Sequence, residues 1–116
     1  MRKVAAMAYD DDLADRVRKA VAAEIGLTEK RMFGALAFLI NGNLAVAASG
    51  KGGLMLRTDP VDTEILLREG RAQPFEMHGR RMNGWLSVAA DDQTPDDELA
   101  EWVQRGVSYA KSLPPK

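Results

Sequence analysis

The chain has 116 residues, which is enough for one domain that buries roughly two-thirds of the surface its unfolded chain exposes. It has no cysteine, which excludes disulfides, thiolate zinc sites and cysteine nucleophiles and fits the reducing cytoplasm, where we expect the protein. Acidic and basic side chains nearly cancel, to a net charge of −1, so bulk charge does not favour binding to nucleic acid or to an anionic membrane.

The N-terminal segment has no paired apolar pattern and no run long enough for a signal peptide or a membrane span. We therefore expect residues 1–6 to be a dispensable leader or to precede a true start at Met7, with one domain over residues 7–116. The first helix is predicted to begin at the three acids of residues 10–12, to carry Leu13 and Val17 at helical spacing, and to end at Gly26.

An apolar run over residues 32–40, followed by Asn41 and Gly42, predicts a β-hairpin whose second strand covers residues 44–49. A two-residue turn makes the numbers of paired residues sum to an odd number. One face then carries Met32, Leu36, Phe38, Ile40, Ala45 and Ala47. The other face carries Phe33, Ala35, Ala37, Leu39, Leu44 and Val46. Neither face is polar, so the face that the helices leave open needs a further layer or a second subunit.

The later elements follow from turn and cap residues. A glycine-rich turn over residues 50–53 precedes a strand over 54–57, and Asp59-Pro60 opens a short helix that ends at Gly70. Strands over 74–77 and 85–88 are joined by a loop. Thr94-Pro95 opens the last helix, whose apolar stripe includes Trp102. Both Trp85 and Trp102 are predicted to lie in the core. The pattern predicts a two-layer α+β fold, ordered helix, three strands, helix, two strands, helix, with a mostly antiparallel sheet.

Five segments in this order resemble the TfoX (Sxy) N-terminal domain family over residues 7–116: MFGALAFLINGN from residue 32, LMLR from 54, PF from 74, MNGW from 82 and ELAEWV from 98. The resemblance implies an α+β fold similar to type III secretion chaperones, a homodimer, and a link to natural competence in bacteria. The full-length regulators are thought to act with a cyclic-AMP receptor protein at promoters. Those regulators carry a further C-terminal helical domain, and we expect this chain to be a stand-alone member. Ala35 stands where the family often has a second glycine.

Candidate catalytic and ligand-binding residues are few. The only histidine, His78, lies in a predicted turn with no base or nucleophile indicated beside it, so we assign no catalytic residue. The Ser-Gly-Lys-Gly-Gly segment from residue 49 lacks the spacing of a phosphate loop, and the acids between residues 91 and 97 lack the spacing of a calcium loop. We assign no cofactor and no metal.

Two functional classes remain. The first is a small non-enzymatic regulatory or adaptor domain, which forms a homodimer, contacts a protein partner in transcription regulation and does not itself bind DNA. Its predicted contact surface is Phe33, Ala37, Leu39, Leu44 and Val46. The alternative is a small-anion binding module or minor enzyme that uses Arg57, His78, Arg80 and Arg81. An exposed apolar patch favours the first class, and a concave pocket lined by these cationic residues favours the second.

Overall fold

Within the described part of the chain, six antiparallel strands form one sheet. The computed structural model describes residues 10–32, 34–50, 52–77 and 79–116. The predicted leader, residues 1–6, and the alternative start at Met7 lie outside the described residues. In chain order the elements are α1 (Asp11–Val21), β1 (Leu27–Met32), β2 (Ala35–Ile40), β3 (Asn43–Ala48), β4 (Leu54–Arg57), α2 (Pro60–Arg68), β5 (Gln73–Met77), β6 (Arg80–Val88) and α3 (Asp96–Ser112). The strand order in the sheet is β1-β2-β3-β4-β6-β5. The structure confirms the α+β class. It also confirms the predicted order along the chain, in which helices precede, separate and follow two groups of strands.

The first group of strands has four members, not the predicted three. The added strand, β1, pairs with β2 from Leu27 opposite Ile40 to Met32 opposite Ala35, and Gly34 between the strands takes a φ of +76°. Residues 28–31 of β1 are exposed and mostly charged. An apolar pattern cannot reveal such a strand, because pairing with β2 rather than burial of its side chains holds it in the sheet. Charges on an edge strand also discourage pairing with another chain.

The turn between β2 and β3 has the predicted form, with positive φ at Asn41 (54°) and Gly42 (85°). Next to the turn, Leu39 pairs with Leu44, as the odd-sum rule requires. A β-bulge then shifts the register, so that Phe38 lies opposite Val46. A slip of one residue moves each later side chain to the opposite face. The predicted faces of Val46 and Ala47 were therefore wrong, since they assumed one register along the whole hairpin.

The three helices and one face of the sheet enclose the main hydrophobic core, which we call the helix-side core. Helix α3 lies mainly against β3 and β4, and α1 packs beside α3. Trp102 is 4% exposed and belongs to this core, as predicted. The largest strand residues in it are Leu36, Phe38, Ile40, Val46, Leu54, Leu56, Leu86 and Val88.

A second apolar cluster lies on the other face of the sheet. Its buried members are Ala35, Ala37, Leu44, Ala47, Met55 and Phe75, and Met32, Leu39, Met82 and Trp85 pack against them half-buried. In the described part of the chain, no residue of α1, α2 or α3 belongs to this second cluster. Trp85 lies at its margin, with its ring 6.1 Å from that of Phe75, and is not in the helix-side core. The prediction of a buried core position therefore holds for Trp102 and not for Trp85.

Helix α1 is tied to both of its neighbours by arginines. Arg16 donates hydrogen bonds to Asp96 (Nη2 to Oδ1, 2.7 Å) and to the carbonyl oxygens of Asp91 and Thr94, just before α3. Arg18 donates to Glu29 of β1 (Nε to Oε2, 2.7 Å). This hydrogen bond and the positive charge lower the pKa of Glu29 below its usual value. The pair stabilises the fold above the ordinary titration range of a glutamate, and its contribution fades as the pH falls through the lowered pKa.

At Gly106 the backbone of α3 lies close against the backbone of β3. A Cβ atom built on Gly106 would lie 2.1 Å from the carbonyl oxygen of Ala45, at the bulge in β3. Both groups are backbone or directly attached to it, so neither can rotate away. The absence of a side chain at Gly106 therefore allows α3 to pack at this distance.

We expect Gly106→Ala to destabilise the protein by about 1–3 kcal/mol, because the added methyl must push α3 away from β3. At an exposed helical position the same change stabilises by up to ~1 kcal/mol. A loss of stability therefore indicates the close contact, whereas a gain indicates an open position. Urea unfolding of this variant measures it, with Ser108→Ala on the exposed side of α3 as the control. An unchanged or higher free energy of unfolding for Gly106→Ala would contradict the close approach.

Candidate functional site

A cavity of about 350 Å³ opens where the end of β4, the start of α2, the β5–β6 pair and the last turns of α3 come together. Residues from all these elements contribute to its wall, so the cavity exists only in the folded chain. The lining residues are Arg57, Thr58, Pro60, Thr63, Glu64, Leu67, Pro74, Arg81, Met82, Gly84, Trp85 and Tyr109.

The β4–β6 pairing positions Arg57. It is the last residue of β4 and lies opposite Trp85 of β6, and the next residue, Thr58, donates its N–H to the carbonyl oxygen of Gly84 (3.2 Å). The Arg57 guanidinium carbon lies 5.6 Å from the centre of the Tyr109 ring on α3. This cation–π contact holds a half-buried guanidinium at the cavity wall while leaving its N–H groups to donate in the plane of the group.

Two buried threonines anchor the start of α2 beside the cavity. The hydroxyl groups of Thr58 and Thr63 are 2.6 Å apart, and Thr63 also donates to the carbonyl oxygen of Asp59 (3.0 Å). The Asp59 carboxylate caps α2 by accepting the N–H of Val61 (2.9 Å). These bonds fix α2 relative to the end of β4 and satisfy polar groups that are removed from water.

The charged side chains on the cavity wall are Arg57, Arg81 and Glu64, with a net charge of +1. Among the described residues, no carboxylate oxygen lies within 4 Å of a nitrogen of either arginine. Glu76 lies opposite Arg81 in the strand register but does not line the cavity. Two guanidinium groups therefore border one concave site, and their N–H groups are available to donate hydrogen bonds to a ligand.

Two of the four cationic residues proposed from the sequence meet at this cavity. Arg57 and Arg81 line it, whereas Arg80 is exposed and is not among the lining residues. His78 lies outside the described residues. Sequence reasoning missed Tyr109, whose only signal was its position beside Ala110 of the apolar stripe, and it assigned Trp85 to the core rather than to a cavity wall.

The fold places the residues of the predicted contact surface on different faces of the sheet. Ala37 and Leu44 are buried in the second cluster, and Leu39 is half-buried beside them. Val46 is fully buried in the helix-side core, because the bulge turns it to the other face. Phe33 lies outside the described residues. Among the described residues, the partly accessible apolar side chains on this face are thus Met32, Leu39, Met82 and Trp85.

Two of the acidic residues near the start of α3, Asp91 and Asp96, have partners within the fold. Asp91 accepts the N–H of Gln93 (2.8 Å), and Asp96 accepts from Arg16. Across the described ranges, no three His, Cys, Asp or Glu side chains are grouped so that they could hold a metal ion. In the same ranges no helix is long and apolar enough to cross a membrane.

A family model described as the TfoX N-terminal domain matches residues 19–110. This chain belongs to that family. The match runs from the last turn of α1 to the last turn of α3, so it includes all six described strands and every residue that lines the cavity. Neither the curated proteins nor the solved structures include a match to the chain.

We expect Thr63→Val to lower the free energy of unfolding by about 1–3 kcal/mol, because it leaves the buried Thr58 hydroxyl without its partner and removes one of the two hydrogen bonds that the Asp59 carbonyl accepts. Thermal or urea unfolding provides the measurement. Thr28→Val is the matched control, since Thr28 is exposed on the edge strand β1. Equal stabilities of the two variants would show that the threonine pair does not anchor α2.

Proposed function

We propose that this domain is a small non-enzymatic regulatory module that acts by protein–protein contact and forms a homodimer through the second cluster. The observation that carries the proposal is the apolar composition of that sheet face, to which α1, α2 and α3 contribute no described residue. Soluble antiparallel sheets with one free face usually carry polar side chains there. The part-exposed side chains of the second cluster, Met32, Leu39, Met82 and Trp85, are all apolar, which is typical of a surface that another protein covers.

The sheet face is a better candidate for the contact than either sheet edge. The edge strand β1 exposes Glu29, Lys30 and Arg31, and the opposite edge strand β5 contains Pro74, which has no N–H to donate. Edge-to-edge pairing is thus disfavoured on both sides. A second copy with two-fold symmetry would instead present the same large side chains, Leu39 and Trp85, to those of the first.

Membership of the TfoX N-terminal domain family supports a role in the regulation of natural competence. In this proposal the domain contacts a protein partner in transcription regulation, in the cytoplasm, and the partner holds the DNA. The net charge of −1 supports the assignment of DNA binding to the partner, because it provides no general attraction to phosphates.

Light scattering of the full chain at tens of micromolar should give twice the protomer mass. Leu39→Glu should shift the protein towards the monomer, because a charge at a half-buried apolar contact loses its water when the dimer forms. Ile65→Glu on the exposed surface of α2 is the matched control and should leave the mass unchanged. A monomeric native protein, or the same shift in both variants, would contradict the proposed interface.

Duplex DNA should not be retained by the full chain at submicromolar concentration in a gel-shift assay at physiological salt. The near-zero net charge releases few counterions, so the largest general contribution to DNA affinity is missing. Retention that survives an excess of competitor duplex would show that the domain contacts DNA directly.

A further inference from the structure

We infer that the cavity beside Arg57 and Arg81 binds a small organic monocarboxylate with an aromatic or apolar body. This proposal depends on the cavity and its two arginines, whereas the proposed dimer contact depends on the apolar sheet face. It also assigns a ligand to a domain for which protein contact alone was proposed.

The charges on the wall select the head group of the ligand. Arg57 and Arg81 present guanidinium groups that no described carboxylate occupies, and a guanidinium matches a carboxylate with two parallel hydrogen bonds. Glu64 adds one negative charge to the same wall. The resulting net charge of +1 is balanced by a monoanion, whereas a phosphate dianion would be left with excess negative charge beside Glu64.

The rest of the wall selects the body of the ligand. Trp85 and Tyr109 are half-buried aromatic side chains, and Leu67, Pro74 and Met82 add aliphatic surface between them. Flat aromatic walls favour flat apolar groups through burial and ring contacts. The volume of about 350 Å³ lies within the range of small-molecule sites and is far too small for a folded partner.

The site is held in place before a ligand arrives. The guanidinium of Arg57 rests over Tyr109, the Thr58–Gly84 hydrogen bond joins the strands below it, and the Thr58–Thr63 pair fixes α2. Binding therefore requires little ordering of the protein beyond the exposed Arg81 side chain.

The test uses 2-naphthoate as the probe, with titration of the full chain by calorimetry and saturation-transfer NMR. We expect saturable binding at one site per protomer. Arg81→Gln should weaken it by about tenfold or more, because a charge-assisted hydrogen-bonding partner is lost. Arg80→Gln, a change of the same kind at the neighbouring exposed residue outside the cavity, should leave the affinity unchanged. The neutral analogue 2-naphthylmethanol should bind about tenfold more weakly or worse.

Arg57→Gln tests the more buried arginine, with its thermal midpoint measured alongside. A folded Arg57→Gln variant should lose affinity as Arg81→Gln does, and if it fails to fold, the exposed Arg81→Gln variant decides the matter. The proposal is overturned if 2-naphthoate does not bind at millimolar concentration, if Arg80→Gln weakens binding as much as Arg81→Gln, or if the alcohol binds equally well. Tighter binding of 2-naphthyl phosphate would replace the monocarboxylate assignment with a phosphate. Trp85 lies on the cavity wall and also at the margin of the second cluster, so light scattering of each variant is measured alongside. A failure of 2-naphthoate to bind a protein of unchanged mass contradicts this proposal and not the dimer.

Discussion

The close contact between Gly106 of α3 and the backbone of Ala45 in β3 is the constraint on which the rest of the arrangement depends. It occurs at the bulge that separates the two registers of the β2–β3 hairpin, so helix packing and strand register meet at one point. With α3 this close to the sheet, Val103 and Val107 are almost completely buried. Tyr109, a few residues further along α3, then reaches the guanidinium of Arg57 at the end of β4. The cavity wall is thus a consequence of how closely α3 packs.

The bulge also decides what each face of the sheet offers. Because the register shifts between Phe38 and Leu39, Val46 turns inward to the helices and Ala47 turns to the second cluster. The second cluster therefore has small residues at its centre, Ala37 and Ala47, with larger side chains at its margin. A partner that covers this face would contact Met32, Leu39, Met82 and Trp85, and burial of these four side chains would provide most of the gain from contact.

Trp85 connects the two proposed sites. It packs with Phe75 at the margin of the second cluster and also lines the cavity that contains Arg57 and Arg81. A ligand in the cavity and a protein on the sheet face would therefore both contact or lie beside the same ring. The two proposed sites are therefore adjacent on the molecule and share this one side chain.

The sequence by itself determined the class of fold, the positions of three helices, the hairpin turn at Asn41-Gly42 and the family, since these depend on local residue preferences and on apolar spacing along the chain. It also marked Arg57 and Arg81 as cations near strand ends. The edge strand β1, the bulge and the partnership of Arg57 with Tyr109 were decided by tertiary structure. A charged edge strand has no apolar period, the bulge lies where β3 passes beneath Gly106 of α3, and Tyr109 is far from Arg57 in the chain. Each of these depends on pairing or packing between elements, which residue preferences and apolar spacing along one segment do not encode.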